Sequence, residues 1–378
     1  MAISSVAPTQ TPPSDLFPAM AQSDYEQIVY CQDRASGLRA IIVIHDTTLG
    51  PALGGIRMRP YPTERDALED VLRLSRAMTY KSAMAGLNLG GGKSVIIGDA
   101  SEKSEARFRA LGRYIQSLGG RYVAATDVGT TSDDITQVRL ETPYVTGVPE
   151  AWGGLGDTSI LTGLTVYLGM KAGAEAAWGS DSLSGKRILV QGAGKVGTHL
   201  MELLEPEGVR LLVSDVDGAA VARAAARFGA TIVPPDDVVD VDCDVFSPNA
   251  LGGVLSSRSI PRLSCRVVCG GANNQLETEL DGELLHRRGI VYCPDYVVNS
   301  GGVISAESEI LKAPRARAES VARKVGETTR RVLDLSQVEN IPTSTAADRL
   351  AEARLEAIAA VHRPYIAQDA RAHRALLP

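Results

Sequence analysis

Two lysines, Lys81 and Lys93, flank a glycine run in Met78-Thr-Tyr-Lys-Ser-Ala-Met-Ala-Gly-Leu-Asn-Leu-Gly-Gly-Gly-Lys-Ser94. Lysines usually spread over solvated faces. Here Lys81 follows an amphipathic run (Leu68, Val71, Leu72, Leu74), and Lys93 leads straight into the apolar strand Ser94-Val-Ile-Ile97. A lysine that opens a buried strand costs free energy unless it has a partner. Burial beside another cation also lowers a lysine pKa toward neutrality and turns the amine into a base. Gly90, Gly91 and Gly92 are read as a turn that adopts positive φ and approaches a ligand closely, aiming both ammonium groups into one cleft. One lysine would hold a carboxylate while the other does proton chemistry. The competing readings are a phosphate-cradling loop and a plain helix-to-strand turn. A P-loop needs strand, GxxxxGK[ST], then helix, and the order here is inverted.

The second signal is Lys186-Arg-Ile-Leu-Val-Gln-Gly-Ala-Gly-Lys-Val-Gly-Thr-His-Leu200, in which an apolar strand runs through Gly192-x-Gly194-x-x-Gly197 into a helical pattern. That is the context a dinucleotide fingerprint requires. Gly192 makes the turn, Gly194 admits the pyrophosphate and Gly197 lets helix pack on strand. The phosphates would meet the N–H groups of the helix start, at Lys195 and Val196. A second strand, Val209–Ser214, ends at Asp215, near the expected ~20-residue offset. A carboxylate there accepts hydrogen bonds from ribose hydroxyls and repels a 2′-phosphate, which favours NAD over NADP. The alternative is a structural turn in another α/β domain.

Steps of strand and helix position these residues. A strand at Ala40–Ile44, a helix from Glu64 to about Met78, a strand at Lys93–Ile97 and a helix at Glu105–Leu118 come first. The strand Arg121–Asp127 then sets Asp127 at a strand end, where open α/β sheets build sites; it could equally cap a turn or the helix that begins near Ser132. Gly153-Gly-Leu-Gly-Asp-Thr158 reads as a hinge into a long apolar helix, Ser159 to Ala177, and βαβ rhythm continues from Ser184 to about Arg288. Val267-Val-Cys-Gly-Gly-Ala-Asn-Asn-Gln275 and Asp295-Tyr-Val-Val-Asn-Ser-Gly-Gly-Val303 place amides at strand ends, and each reads otherwise as a turn. Charged amphipathic helices follow at Ala316–Leu335 and Thr345–Val361, the latter folding back on the first domain.

With 378 residues, the chain is long enough for two domains. A net charge of −6 without a basic stripe gives nucleic-acid binding no support, and no apolar run reaches membrane-spanning length. The start, Met1 to about Gln22, lacks a basic n-region and reads as a disordered tail, so the chain is expected to be cytoplasmic. Five cysteines (Cys31, Cys243, Cys265, Cys269, Cys293) form no CxxC, so buried thiols are preferred over a zinc site. Five isolated histidines with no nucleophile pattern disfavour a hydrolase triad.

These strings together resemble the glutamate, leucine, phenylalanine and valine dehydrogenase family, nearest in feel to actinobacterial valine and cyanobacterial tryptophan dehydrogenases. The likeness rests on Thr48–Gly55, Met78–Lys93, Thr126–Gly129, Gly192–Gly197, Ala250–Gly253, Gly271–Leu276 and Pro294–Val303, across about residues 25 to 310. It implies an α/β fold of two domains: a substrate and oligomerisation domain over 23–157 and a Rossmann-type NAD-binding domain over 158–335. Helices in 336–378 would return to the first domain. It further implies reversible oxidative deamination of an L-amino acid with NAD, by a homodimer or higher homo-oligomer. Lys81 would bind the substrate carboxylate, Lys93 would activate water and Asp127 would relay protons to the amine. Asn273 and Asn299 would orient nicotinamide and substrate, and Thr162 would contact the nicotinamide amide. Asn249 and Ala250 join the cofactor side, while Leu53, Gly54, Ala125, Val303 and Ala306 line the substrate pocket.

Relatives commonly carry valine at the position of Ala306, so the pocket leans toward a bulkier side chain. Asn249, Ser300 and the pair Glu307 and Glu309 depart from the family pattern; the two glutamates are expected on a helix surface unless they meet a polar or cationic side chain. Two other functions stay open. A reductase of a specialised imine or 2-oxo acid would keep both lysines, and a non-catalytic NAD-binding protein would need neither.

Overall fold

The computed structural model describes residues 16–21, 23–250 and 252–361. Most of the stretch read as a disordered tail lies outside them, but Leu16–Ala21 forms a short helix, which corrects that expectation for its end. Among the described residues no helix is long and apolar enough to cross a membrane.

The first sheet contains β1 (Gln27–Asp33), β2 (Leu38–Asp46), β3 (Ala52–Arg59), β4 (Gly90–Ile97) and β5 (Tyr122–Thr126), in the order β1-β2-β4-β3-β5. β2 runs antiparallel to both β1 and β4, whereas β3 lies parallel to β4 and β5. Alternation along β2 sends Ile41 and Val43 to one face, against Ala67 and Val71 of the helix Glu64–Met84. Ile42 and Ile44 go to the other, against Phe108 and Leu111 of the helix Glu105–Ser117 and Ile135 and Val138 of Ser132–Arg139.

The second sheet is parallel throughout: β6 (Arg187–Gln191), β7 (Arg210–Ser214), β8 (Thr231–Ile232), β9 (Val245–Pro248), β10 (Val267–Val268) and β11 (Val291–Tyr292). Its order, β11-β10-β9-β6-β7-β8, is that of the doubly wound dinucleotide fold, with the switch point between β6 and β9. The helix Ser159–Trp178 covers one face through Val166, Met170 and Ala174.

Three local expectations change. The helix that begins at Glu64 runs to Met84, so Lys81 lies on its last turn and not beyond its end. The glycines 90 to 92 are strand, not turn: they open β4, and none has positive φ. The stretch read as one helix, Ala316–Leu335, is two, Arg315–Arg323 and Val325–Glu339, separated at Lys324. The last described helix, Thr343–Ala359, packs its alanines Ala346, Ala347 and Ala351 with Tyr80 and Met84 of the Lys81 helix.

Candidate active site

The body of β3 and β4 and the end of β5 in the first sheet, and the turns after β10 and β11 in the second, face one cavity of about 370 Å³. The first domain supplies Leu53, Gly54, Gly55 and Arg57 from β3, Lys81 from its helix, Lys93 from β4, and Ala125, Thr126 and Asp127 from the end of β5. The second supplies Thr162, Val196, Asn273, Asp295, Asn299, Val303, Ala306 and Glu309.

Lys93 is 5% exposed, and its Nζ lies 3.1 Å from Oδ2 of Asp127. Asp127 therefore spends its side chain on the lysine. The helix it was alternatively read to cap is capped by Thr131 through a capping box with Asp134. Burial lowers the Lys93 pKa, opposed by Asp127 and assisted by the like charge of Arg57. Burial pushes the Asp127 carboxyl up, but Lys93 and Arg57 outweigh it and hold it below the usual carboxylate value. Lys81 donates from Nζ to Oδ1 of Asn273 at 2.8 Å, across the cleft. Burial, with a smaller contribution from Lys93, brings its pKa down to about 8 against the pull of Asp295.

On the far wall, Asn299 donates from Nδ2 to the same Oδ1 of Asn273 at 3.0 Å, while its own Oδ1 is buried with no partner. Thr162 donates its hydroxyl to the Thr158 carbonyl. Asp295, whose pKa is raised by burial, accepts from the backbone N–H of Gln275 at 3.1 Å and so shapes the turn that carries Asn273. Neither Arg57 nor Asp295 was singled out by sequence reasoning as a site residue. Asp295 stood in a quoted string and could have been found there; no local pattern marks Arg57.

The glycine fingerprint lies outside this cavity except for Val196, at the carboxyl end of β6. Gly192 has φ of 104°, and a Cβ there would come 2.8 Å from the Asn249 carbonyl carbon. A Cβ on Gly197 would lie 1.9 Å from the Gly192 carbonyl oxygen, so only glycine lets this helix sit on its strand. Around Gly194 the space is open. The helix Lys195–Leu204 has no side-chain cap, which leaves its first N–H groups for an anion such as pyrophosphate. Asp215 accepts from the Ala193 N–H at 2.7 Å and the Asp217 N–H at 2.9 Å, at the end of β7. Lys195 reaches Asp157, just before the helix Ser159–Trp178, at 3.1 Å. These groups, gathered at the switch point, suit the phosphates and ribose of a dinucleotide. Asn249 uses its amide to tie the Ser247 carbonyl to the Gly271 N–H, so it braces two strand-end turns; neither it nor Ala250 lines the cavity.

Comparison with known proteins decides the family. Residues 25–144 match the dimerisation domain of Glu/Leu/Phe/Val dehydrogenases, and residues 220–363 match the Glutamate/Leucine/Phenylalanine/Valine dehydrogenase model. A leucine dehydrogenase of Geobacillus stearothermophilus is 51% identical over 93% of this chain and 96% of its own length. The chain belongs to the Glu/Leu/Phe/Val dehydrogenase family. Valine dehydrogenase of Streptomyces virginiae is 47% identical, over 88% of this chain and 94% of its own. The crystal structure of L-tryptophan dehydrogenase from Nostoc punctiforme superposes with a TM-score of 0.81 at 41% identity, covering 90% of this chain and 98% of that one. The family makes this dehydrogenase an oxidoreductase acting on amino acid CH–NH2, with a nicotinamide nucleotide as cofactor class.

The residues read from the sequence as departures from the family pattern have structural uses in this dehydrogenase. Glu307, expected on a helix surface, is 4% exposed: it accepts from the Asn88 N–H at 3.1 Å and pairs with Arg317 at 2.8 Å. A carboxylate on the buried face of a helix needs such partners. Glu309 lines the cavity and accepts from the Gly147 N–H at 3.0 Å, and buried Ser300 donates to the Val297 carbonyl. All five cysteines are buried and free, and among the described residues no group of three or more His, Cys, Asp or Glu could hold a metal ion.

Proposed function

We propose that this dehydrogenase catalyses NAD-dependent oxidative deamination of an L-amino acid with an apolar or bulky side chain: amino acid, NAD and water give 2-oxo acid, ammonium, NADH and a proton. The observation that carries it is the placement of a depressed-pKa lysine, Lys93, 3.1 Å from ionised Asp127 inside a cavity that a second lysine, Lys81, also enters. In this reading Lys81 pairs with the substrate carboxylate. A nicotinamide nucleotide held by the glycine turn would supply the hydride acceptor for the substrate Cα. Lys93 in its neutral form removes a proton from the water that attacks the substrate iminium carbon, and Asp127 carries protons to and from the leaving amine. Asn273 and Asn299 fix the substrate and the nicotinamide edge, and closure of the cleft excludes bulk water.

Leu53, Ala125, Val303 and Ala306 line the side-chain end, where the small Ala306 leaves room for more than a short aliphatic group. Asp215 argues for NAD over NADP, since a carboxylate beside the ribose repels a 2′-phosphate. The family model over residues 25–144 carries the description dimerisation domain, which supports a homo-oligomer. We also assign residues 23–157 to the substrate domain, 158–335 to the dinucleotide domain and, of the segment 336–378, the part up to residue 361 to the helices that return to the first domain; the remainder lies outside the described residues. The test is NADH formation from NAD with a panel of branched, aromatic and cationic L-amino acids. A clear winner supports the reaction and identifies the pocket. No turnover with dinucleotide binding intact, and ammonia-independent NADH oxidation with an imine, would replace it by an imine or oxo-acid reductase.

A further inference from the structure

Arg57 has no place in the mechanism so far, yet it lines the cavity, mostly shielded from solvent, beside the reacting groups. Its Nε donates to Oδ2 of Asp127 at 2.8 Å, the same oxygen that Lys93 reaches at 3.1 Å. Its Nη1 pairs with Asp70 at 3.0 Å, and Asp70 is held in turn by the Tyr61 hydroxyl at 2.8 Å and by Arg73 at 3.0 Å. A continuous chain, Lys93–Asp127–Arg57–Asp70, thus crosses from β4 to the end of β5, to β3 and to the Lys81 helix. Room for it depends on Gly55, where a Cβ would lie 2.7 Å from Cβ of Asp127.

Charge accounting shows what this arrangement adds. A buried lysine and carboxylate alone can neutralise each other by moving one proton between them, and when the lysine acts as a base its partner loses its counter-ion. A guanidinium does not deprotonate in proteins, and its planar fork fixes the carboxylate it grips. We propose that Arg57 is a positioning residue for the reaction: its permanent charge keeps Asp127 an oriented carboxylate while Lys93 is neutral, leaving Oδ1 to exchange the proton with the substrate amine. Among the described residues Oδ1 has no protein hydrogen bond competing for it. This rests on the roles given above to Lys93 and Asp127.

The charged groups that face Lys93 are Asp127 from β5, Arg57 from β3, and Asp70 and Lys81 from the helix Glu64–Met84. Arg57 opposes protonation of Lys93 and Asp70 favours it, so removing each charge should move the ascending limb of the pH–kcat profile in opposite directions. Arg57→Gln should lose about 100-fold in kcat and shift that limb upward by about one pH unit, with NAD affinity by fluorescence titration unchanged. Arg57→Lys, which keeps the charge and loses the fork, should restore the limb's position with only part of the rate. A limb superimposable on wild type in Arg57→Gln, with reduced amplitude alone, would overturn the proposal. Should that variant not fold, Asp70→Asn reads the same network from outside the cavity: its limb should move to lower pH, and an unmoved limb counts against the proposal. Lys93→Ala in the same assays separates the two levels. An active Lys93→Ala enzyme removes the base assignment and this inference with it, whereas an inactive one beside an unshifted Arg57→Gln profile removes only the inference.

Discussion

Lys81 and Lys93 are chemically the same residue, and their surroundings divide the work between them. Lys93 has an ionised partner at contact distance, whereas Lys81 rests on an amide oxygen and keeps its charge only up to about pH 8. In the proposed reaction a substrate carboxylate needs Lys81 protonated. As pH rises through that value the free enzyme loses the charge, so affinity for carboxylates should fall, while catalysis through neutral Lys93 gains. An unreactive carboxylate analogue has no amine to confuse the titration. Its inhibition constant should be flat below pH 7 and weaken about tenfold per unit well above pH 8; a pH-independent constant would move the carboxylate site off Lys81. At the other end of the cleft, Asp215→Ala should relax the proposed preference for NAD and weaken NAD itself, because the Ala193 N–H loses its acceptor. The ratio of kcat/KM for NAD and NADP measures this, and an unchanged ratio would mean the ribose is read elsewhere. That the lysines, Asp127 and the two asparagines share one cavity was legible because each stands in a short string of glycines, amides and strand ends. Arg57 was not: its partner Asp127 lies 70 residues away, and an arginine on a strand looks like any solvated one.

At the scale of elements, glycine invited a misreading with a clear physical source. Three in a row suggest a turn because local sequence carries information about φ and none about neighbours. In β4 they are extended, and the constraint comes from across the fold: a Cβ on Gly90 would lie 1.9 Å from the Asp46 carbonyl oxygen, and one on Gly91 2.1 Å from the Thr79 nitrogen. The strand lies so close to the Lys81 helix that no side chain fits between, which fixes the spacing of the two lysines. Gly91→Ala should therefore destabilise the fold by ~1–3 kcal/mol, read as a lower denaturant midpoint with unchanged slope. A midpoint equal to wild type would show that helix and strand can part without cost. The true turn glycine is Gly86, with φ of 73°, past the end of a helix that Thr79-Tyr-Lys-Ser-Ala-Met84 continues without a breaker. The alternation of strands and helices was readable because periodicity is local, and strands joined through intervening helices pair in parallel, as in the second sheet. The break at Lys324 was missed because the charged amphipathic pattern runs through it; the weak helix former Gly326, which packs against Leu168, was the local signal beside it.

For the whole molecule, the helix Thr343–Ala359 reaches both walls of the cleft. Its Glu352 accepts from the Tyr80 hydroxyl at 2.7 Å, one residue before Lys81, and its Asp348 accepts from the Tyr296 hydroxyl at 2.6 Å, one residue after Asp295. Arg354 finishes the grip by donating to the carbonyls of Ala83 at 2.6 Å and Leu87 at 2.7 Å, which caps the end of the Lys81 helix with a full positive charge. Glu307 accepts from the Asn88 N–H next to that cap, so the substrate-side helix, the dinucleotide-side helix and the C-terminal helix meet at one point. Position of Lys81 is thereby coupled to a segment far along the chain. Arg354→Ala removes charged donors from carbonyls at a helix end, at a cost of ~1.5–3 kcal/mol, and lets the last turn fray. The expected result is a KM for the amino acid raised about tenfold, equivalent to ~1.4 kcal/mol, with dinucleotide affinity unchanged because β6 and its glycine turn lie elsewhere. Lowered stability with an unaltered KM would confine Arg354 to holding the fold, and an equal loss in dinucleotide affinity would mean that the two walls move as one body.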